Sequence, residues 1–195
     1  LGLKTLTVLQ TAVALVKRRG IDIDLSAIPL DDKNTYDLLA RAEAVGIFQL
    51  ESAGMRRALL DMRPDRFEDI IAVLALYRPG PLGSGMVDDF ILRKKGQQAI
   101  DYFHPDLTAC LSPTYGVIVY QEQVMAIAQK LAGYSLGAAD LLRRAMGKKK
   151  KEILDKEYVP FSEGMRANGY SDAAIKTLWD ILVPFSDYAF NKAHT

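Results

Sequence analysis

Arg143, Arg144 and the four lysines Lys148, Lys149, Lys150 and Lys151 place six cations within nine positions of the segment DLLRRAMGKKKKE, residues 140–152. On a helix Arg144 and Lys148 stand one turn apart, Lys151 lies close to the next turn, and Arg143 faces about 100° away, which makes two neighbouring rows of donors. Arginine grips phosphate oxygens with two parallel N–H donors, and lysine supplies a mobile point charge. Phosphate binding is one reading. The other is a solvated helix face, with Lys151 offset by Asp155 four residues on. Composition leaves both open. A second cluster is Tyr120, Gln121 and Gln123: the ring can stack on a base with an amide bonding nearby, or pack in a core while the glutamines open a helix, which chemistry alone favours. A third is Phe190-Asn-Lys-Ala-His194, where Asn191, Lys192 and His194 offer three different polar groups.

Other chemistries find little support. The pairs Asp31-Asp32 and Asp88-Asp89 have the type of metal ligands, but their neighbours read better as helix caps or solvated first-turn charges. No Ser-His-Asp or Cys-His arrangement stands at a recognisable spacing. Gly147-Lys148 lacks the upstream glycine and the following Ser or Thr of a phosphate-binding P-loop. The single cysteine, Cys110, cannot form an intrachain disulfide, and His104 and His194 are too far apart in sequence for a zinc motif. A reducing, cytoplasmic setting fits. The longest apolar run, about Ile70 to Tyr77, is far short of the ~20 residues that span a bilayer.

The chain that must position these groups has 195 residues, 49% hydrophobic and 25% charged, enough for one sizeable domain or two small ones. Its 25 basic and 24 acidic residues nearly cancel, yet the window Arg143–Lys156 carries +5 against −4 for the rest. A basic patch on an almost neutral body points to one anion-binding face. The dominant period is helical. Leu6, Leu9, Val13 and Val16 form a stripe that ends in Lys17, Arg18, Arg19 and Gly20. Asp31 or Asp32, Ser52, Ser135 and Ser171 are placed as N-caps, Asp65 and Glu68 have capping-box spacing, and Ser84 is read as opening a helix. Pro79-Gly80-Pro81 reads as a turn, residues 97–116 as a turn-rich lobe boundary, and Val117–Tyr120 as the best strand candidate. Gly147 ends or loosens the helix of the arginine pair. Pro160 is expected to kink or split the helix after the lysine run. The expected fold is mainly α and multi-helix, with at most a small β element.

The stretches GIFQLES (46–52), YRPGPLGSGM (77–86), PTYGVIVYQEQVM (113–125), DLLRRAMGKKK (140–150) and FNKAH (190–194) resemble, in order and across essentially the whole chain, the C family of bacterial replicative DNA polymerases, the alpha subunits of DNA polymerase III. The resemblance implies the fingers domain. It implies a helix over 1–20 connecting from the palm, a first fingers lobe over 21–110, and a second lobe over 111–195 that carries the basic segment. In the family three palm aspartates hold two magnesium ions, the last in an Asp-Phe-Leu-Gly-Leu stretch. Leu1-Gly2-Leu3 would be the end of that stretch, just after its Asp-Phe, so the metal ligands are expected outside this chain, and none is expected to be bound here.

The same resemblance assigns the incoming deoxynucleotide to Arg143 and Arg144, with Lys148 and Lys149 as helpers and Arg78, Asn191, Lys192 and His194 as further pocket residues. Tyr120, Gln121 and Gln123 are implied as pocket or template-side groups, and Lys150 and Lys151 as contacts to template phosphates. Implied partners are primer-template DNA, deoxynucleoside triphosphates, the palm and thumb of the same subunit, and replisome subunits reached through other regions; no membrane is implied. The setting would be the bacterial cytoplasm, at the replisome. Two other classes compete: a non-catalytic helical nucleic-acid-binding module, and a protein-interaction domain whose lysines only solubilise it.

Overall fold

A computed structural model describes residues 4–147, 151–185 and 189–194, without the side chains of Lys151 and His194. Among the described residues there are eleven α-helices, short 3₁₀ turns and no strand, so the fold is mainly α as expected. Chain contacts divide it into two compact units, 1–67 and 68–195, and the turn-rich residues 97–116 fall inside the second.

The first unit holds α1 (Lys4–Lys17), α2 (Lys33–Ala40) and α3 (Ala53–Met62). Asp32 caps α2 by accepting from the Thr35 N–H at 3.1 Å, and Ser52 caps α3 by accepting from the Met55 N–H at 3.2 Å. Tyr36, Leu39, Met55, Leu59 and Met62 are buried, and the Tyr36 hydroxyl donates to the Leu30 carbonyl. The predicted stripe on α1 is present, but α1 buries none of its residues within this chain.

The second unit runs from α4 (Phe67–Leu76) through α5 (Pro79–Gly83), α6 (Met86–Lys94) and α7 (Thr108–Leu111) to four longer helices. These are α8 (Gln121–Ala132), α9 (Leu136–Gly147), α10 (Lys151–Ala167) and α11 (Asp172–Phe185). α8 packs on both α9 and α10, and α10 packs on α11. Their shared core contains Ile127, Leu131, Leu142, Phe161, Met165, Ile175 and Leu182, with the Phe161 ring 5.1 Å from that of Trp179. Ser135 and Ser171 cap α9 and α11 through the N–H groups of Ala138 and Ala174. Buried Lys94 on α6 pairs at 3.0 Å with buried Asp69 in the first turn of α4.

Four local expectations change. Pro79-Gly80-Pro81 is not a plain turn: Pro79 opens α5, where its missing N–H leaves no helix bond unmade. Ser84 therefore closes α5, its hydroxyl donating to the Pro81 carbonyl at 2.9 Å, and α6 begins only after Gly85, at φ +78°. Pro160 does not split its element. α10 runs through it, with buried Leu154 before the proline and buried Phe161 and Met165 after it, so both halves are fixed by core contacts rather than by the lost backbone bond. Val117–Tyr120 is buried but forms no strand; Tyr120, itself extended, makes one isolated parallel bridge to Phe190.

Candidate functional site

The arginine pair sits on the last two turns of α9, and Asp140 holds both side chains. Its Oδ1 accepts from Arg143 Nε at 2.8 Å and Nη2 at 2.7 Å, and its Oδ2 accepts from Arg144 Nη2 at 2.8 Å. The spacings i+3 and i+4 put all three groups on one helix face. The Arg143 guanidinium holds the Asp140 carboxyl below the usual carboxylate range, with Arg144 adding to the effect. The two arginines then differ. The Arg143 side chain is 29% exposed, and its Nη1 also donates to Gln121 Oε1 at 3.2 Å; that of Arg144 is 63% exposed.

Gln121 is the first residue of α8, which ties α9 to the N-terminal end of its neighbour. Its Nε2 donates onward to the Ala189 carbonyl at 3.4 Å, and its backbone N–H donates to the Phe190 carbonyl at 2.9 Å. The Phe190 N–H returns to the Val119 carbonyl at 3.2 Å. Glu122 Oε2 accepts from the Lys192 backbone N–H at 3.1 Å, and the Lys192 ammonium lies 5.5 Å from the centre of the Tyr120 ring. On the other side of Phe190 the Arg78 guanidinium lies 4.9 Å from the ring centre, while its Nε donates to the Ala75 carbonyl at 2.7 Å. Burial lowers the Arg78 guanidinium from its ordinary value, which still leaves it charged near neutral pH.

A chain of contacts thus joins Arg78, Phe190, Tyr120, Gln121, Arg143, Asp140 and Arg144, with Lys192 alongside. Asp140 pairs with Arg143 and Arg144, and Glu122 accepts from the Lys192 backbone N–H. A cationic surface backed by an aromatic ring suits a phosphorylated, base-bearing ligand. It does not suit a metal ion: both Asp140 oxygens are held by guanidinium groups, and no three His, Cys, Asp or Glu side chains gather among the described residues.

The family profile described as "Bacterial DNA polymerase III alpha subunit finger domain" matches residues 5–169. The chain belongs to the bacterial DNA polymerase III alpha subunit finger domains. Over its full length it is 57% identical to DNA polymerase III subunit alpha of Mycobacterium leprae (strain TN) and 56% identical to that of Mycobacterium tuberculosis (strain ATCC 25618 / H37Rv). To that of Escherichia coli (strain K12) it is 49% identical. It spans 17% of the length of the two mycobacterial subunits and 18% of the E. coli one. None of the described helices is long and apolar enough to cross a membrane.

Within this finger domain the structure brings Arg78, Tyr120, Gln121, Arg143, Arg144 and Lys192 together. Gln123 is turned the other way. Its Oε1 accepts from the Val119 and Tyr120 N–H groups at 2.8 and 2.9 Å, and its Nε2 donates to Cys110 O at 3.2 Å and Thr114 Oγ1 at 2.7 Å. Buried and bonded at both ends of its amide, it fixes the entry to α8. Asn191 Oδ1 accepts from the Ala193 N–H at 3.0 Å, which shapes the last 3₁₀ turn. Lys148, Lys149 and Lys150 lie outside the described residues, as do the side chains of Lys151 and His194, although Lys151 opens α10 and His194 ends that 3₁₀ turn. The acidic pairs keep the structural roles read from the sequence: Asp32 caps α2, and Asp88 and Asp89 lie in the first turn of α6. Three site residues escaped sequence reasoning. Asp140 was signalled by its spacing to both arginines. Glu122 and the bridging role of Phe190 had no local signal, since their partners are about seventy residues away.

Proposed function

We propose that this chain is the part of a bacterial replicative DNA polymerase that holds the triphosphate of the incoming deoxynucleotide, with the template strand beside it. In that reaction a primer 3′-hydroxyl attacks the α-phosphorus and pyrophosphate leaves. Negative charge on the leaving group must meet cations already in place. The observation that carries the reading is the arginine pair on α9: one carboxylate orients both side chains, and Arg144 keeps most of its surface exposed to a ligand. Family membership and the ring-backed cations Arg78 and Lys192 support the same reading. The metal-binding carboxylates belong, in this proposal, to the palm of the full subunit, and the 195 residues alone do not polymerise. Primer-template DNA, the palm and thumb, and further replisome subunits are the proposed partners, in the bacterial cytoplasm.

The test is Arg144→Ala in the full-length subunit, followed by steady-state primer extension. Losing one preorganised donor to transition-state charge costs about 2–4 kcal/mol, so kcat/KM for the nucleotide should fall by roughly 30- to 1,000-fold while the fold is kept. Near wild-type incorporation by a folded variant would sink the role of Arg144. Ternary-complex formation with primer-template separates this reading from a module that binds DNA by phosphates alone: a matching nucleotide should tighten the polymerase complex and leave the other unchanged.

A further inference from the structure

We infer that Asp140 is a positioning residue for nucleotide binding: its carboxylate sets the spacing of the Arg143 and Arg144 guanidinium groups, and Gln121 carries that setting to the 189–192 segment. This rests on the proposed function of the arginine pair. Two successive arginines on a helix diverge by about 100° and repel each other, so unaided they would not converge on one triphosphate. Asp140 removes both problems. One oxygen takes two nitrogens of Arg143, and the other takes Nη2 of Arg144. The third nitrogen of Arg143 goes to Gln121, whose amide continues to the Ala189 carbonyl, next to Phe190 and three residues before Lys192. A single carboxylate therefore fixes two cations, and Gln121 links one of them to the 189–192 segment.

The sign of the effect makes this decidable. Asp140 places a negative charge beside the groups that would bind an anion. As a mere counterion it weakens triphosphate binding, and its removal should lower the nucleotide KM. As a positioning group it preorganises the donors, and its removal should raise it.

In the full-length subunit on a fixed primer-template, Asp140→Ala is expected to raise the nucleotide KM about tenfold and leave primer-template affinity unchanged, the size of one coupled contact. In an Arg143→Ala/Arg144→Ala background the same change should add nothing, because the groups it positions are gone. Asp140→Asn keeps the volume and one acceptor oxygen and should fall between wild type and Asp140→Ala; it also carries the test if the alanine variant does not fold. An unchanged or lowered KM in a folded Asp140 variant, or an undiminished effect in the double-arginine background, overturns the inference. Arg144→Ala separates the two ideas. If it leaves KM and kcat untouched, the reading of the arginine pair fails. If it impairs nucleotide use and the Asp140 variants do not, only the positioning role fails.

Discussion

At its C-terminal end α8 closes by backbone packed on backbone, whereas at its N-terminal end it opens into charged and amide side chains. Every helix end leaves about four backbone groups without a partner, and the two ends meet that need differently. At the C-terminal end Gly133, at φ +67°, lets the chain leave in the left-handed conformation, and the Gly133 and Tyr134 N–H groups both bond the Ala128 carbonyl. Asn168, just after α10, donates to the Leu131 carbonyl at 2.9 Å, and Gly164 lies so close to the Ala132 carbonyl that a Cβ would overlap its oxygen. At the N-terminal end one buried side chain, Gln123, takes two N–H groups by itself. Gln121 and Glu122 are left to reach Arg143, Ala189 and Lys192. The lesson is a division of labour along one helix, with neutral close packing anchoring the end that carries no ligand-facing cations.

Gln123→Ala should be the most damaging way to break that arrangement. It strands two buried N–H donors and the Cys110 carbonyl, while the Thr114 hydroxyl keeps its bond to the Val117 carbonyl; the cost is about 3–4 kcal/mol, given ~1–3 kcal/mol for each stranded group and partial rescue by water. Chemical denaturation should show it, and the Val119 and Tyr120 amides should lose hydrogen-exchange protection. Gly164→Ala should come next, at about 2–3 kcal/mol, because α8 and α10 must separate to admit the methyl group. If the two ends are as independent as the contacts suggest, that loss appears in the denaturation midpoint while the nucleotide KM of the full subunit changes little. The smallest effect belongs to Tyr134, whose hydroxyl is buried without a hydrogen-bond partner among the described residues. Tyr134→Phe should leave stability within about 0.5 kcal/mol of wild type or raise it. Burial, with Glu157 adding a smaller effect, pushes the Tyr134 phenol up to about 12 from 10. The unfolded chain therefore ionises first, and stability falls as pH rises from about 10 to 12. The phenylalanine variant should lose that part of the alkaline sensitivity in a pH series of thermal melts.

How much was legible beforehand depended on the range of the interaction. Ser52, Ser135, Ser171 and Asp32 are caps in the structure as in the sequence reading, because a cap bonds an N–H only three residues on. Of the two outcomes expected at Pro160, a kink or a split, the split does not occur, because Leu154, Phe161 and Met165 are buried on either side of it. Gln123 belonged to a plausible polar cluster, and only its partners Cys110 and Thr114 show that it faces inward.

The sequence by itself determined the mainly helical fold and the placing of Arg143 and Arg144 together on one helix, since periodicity, capping and i+3/i+4 spacing are all local; the family came from the resemblance of its ordered motifs. Tertiary structure alone decided that Arg143 reaches Gln121, that Gln121 and Glu122 hold the 189–192 segment, and that Arg78 stacks on Phe190. Those contacts join residues 22 to 112 positions apart, and packing of α8 against its neighbours sets their geometry, which no local pattern along the chain encodes.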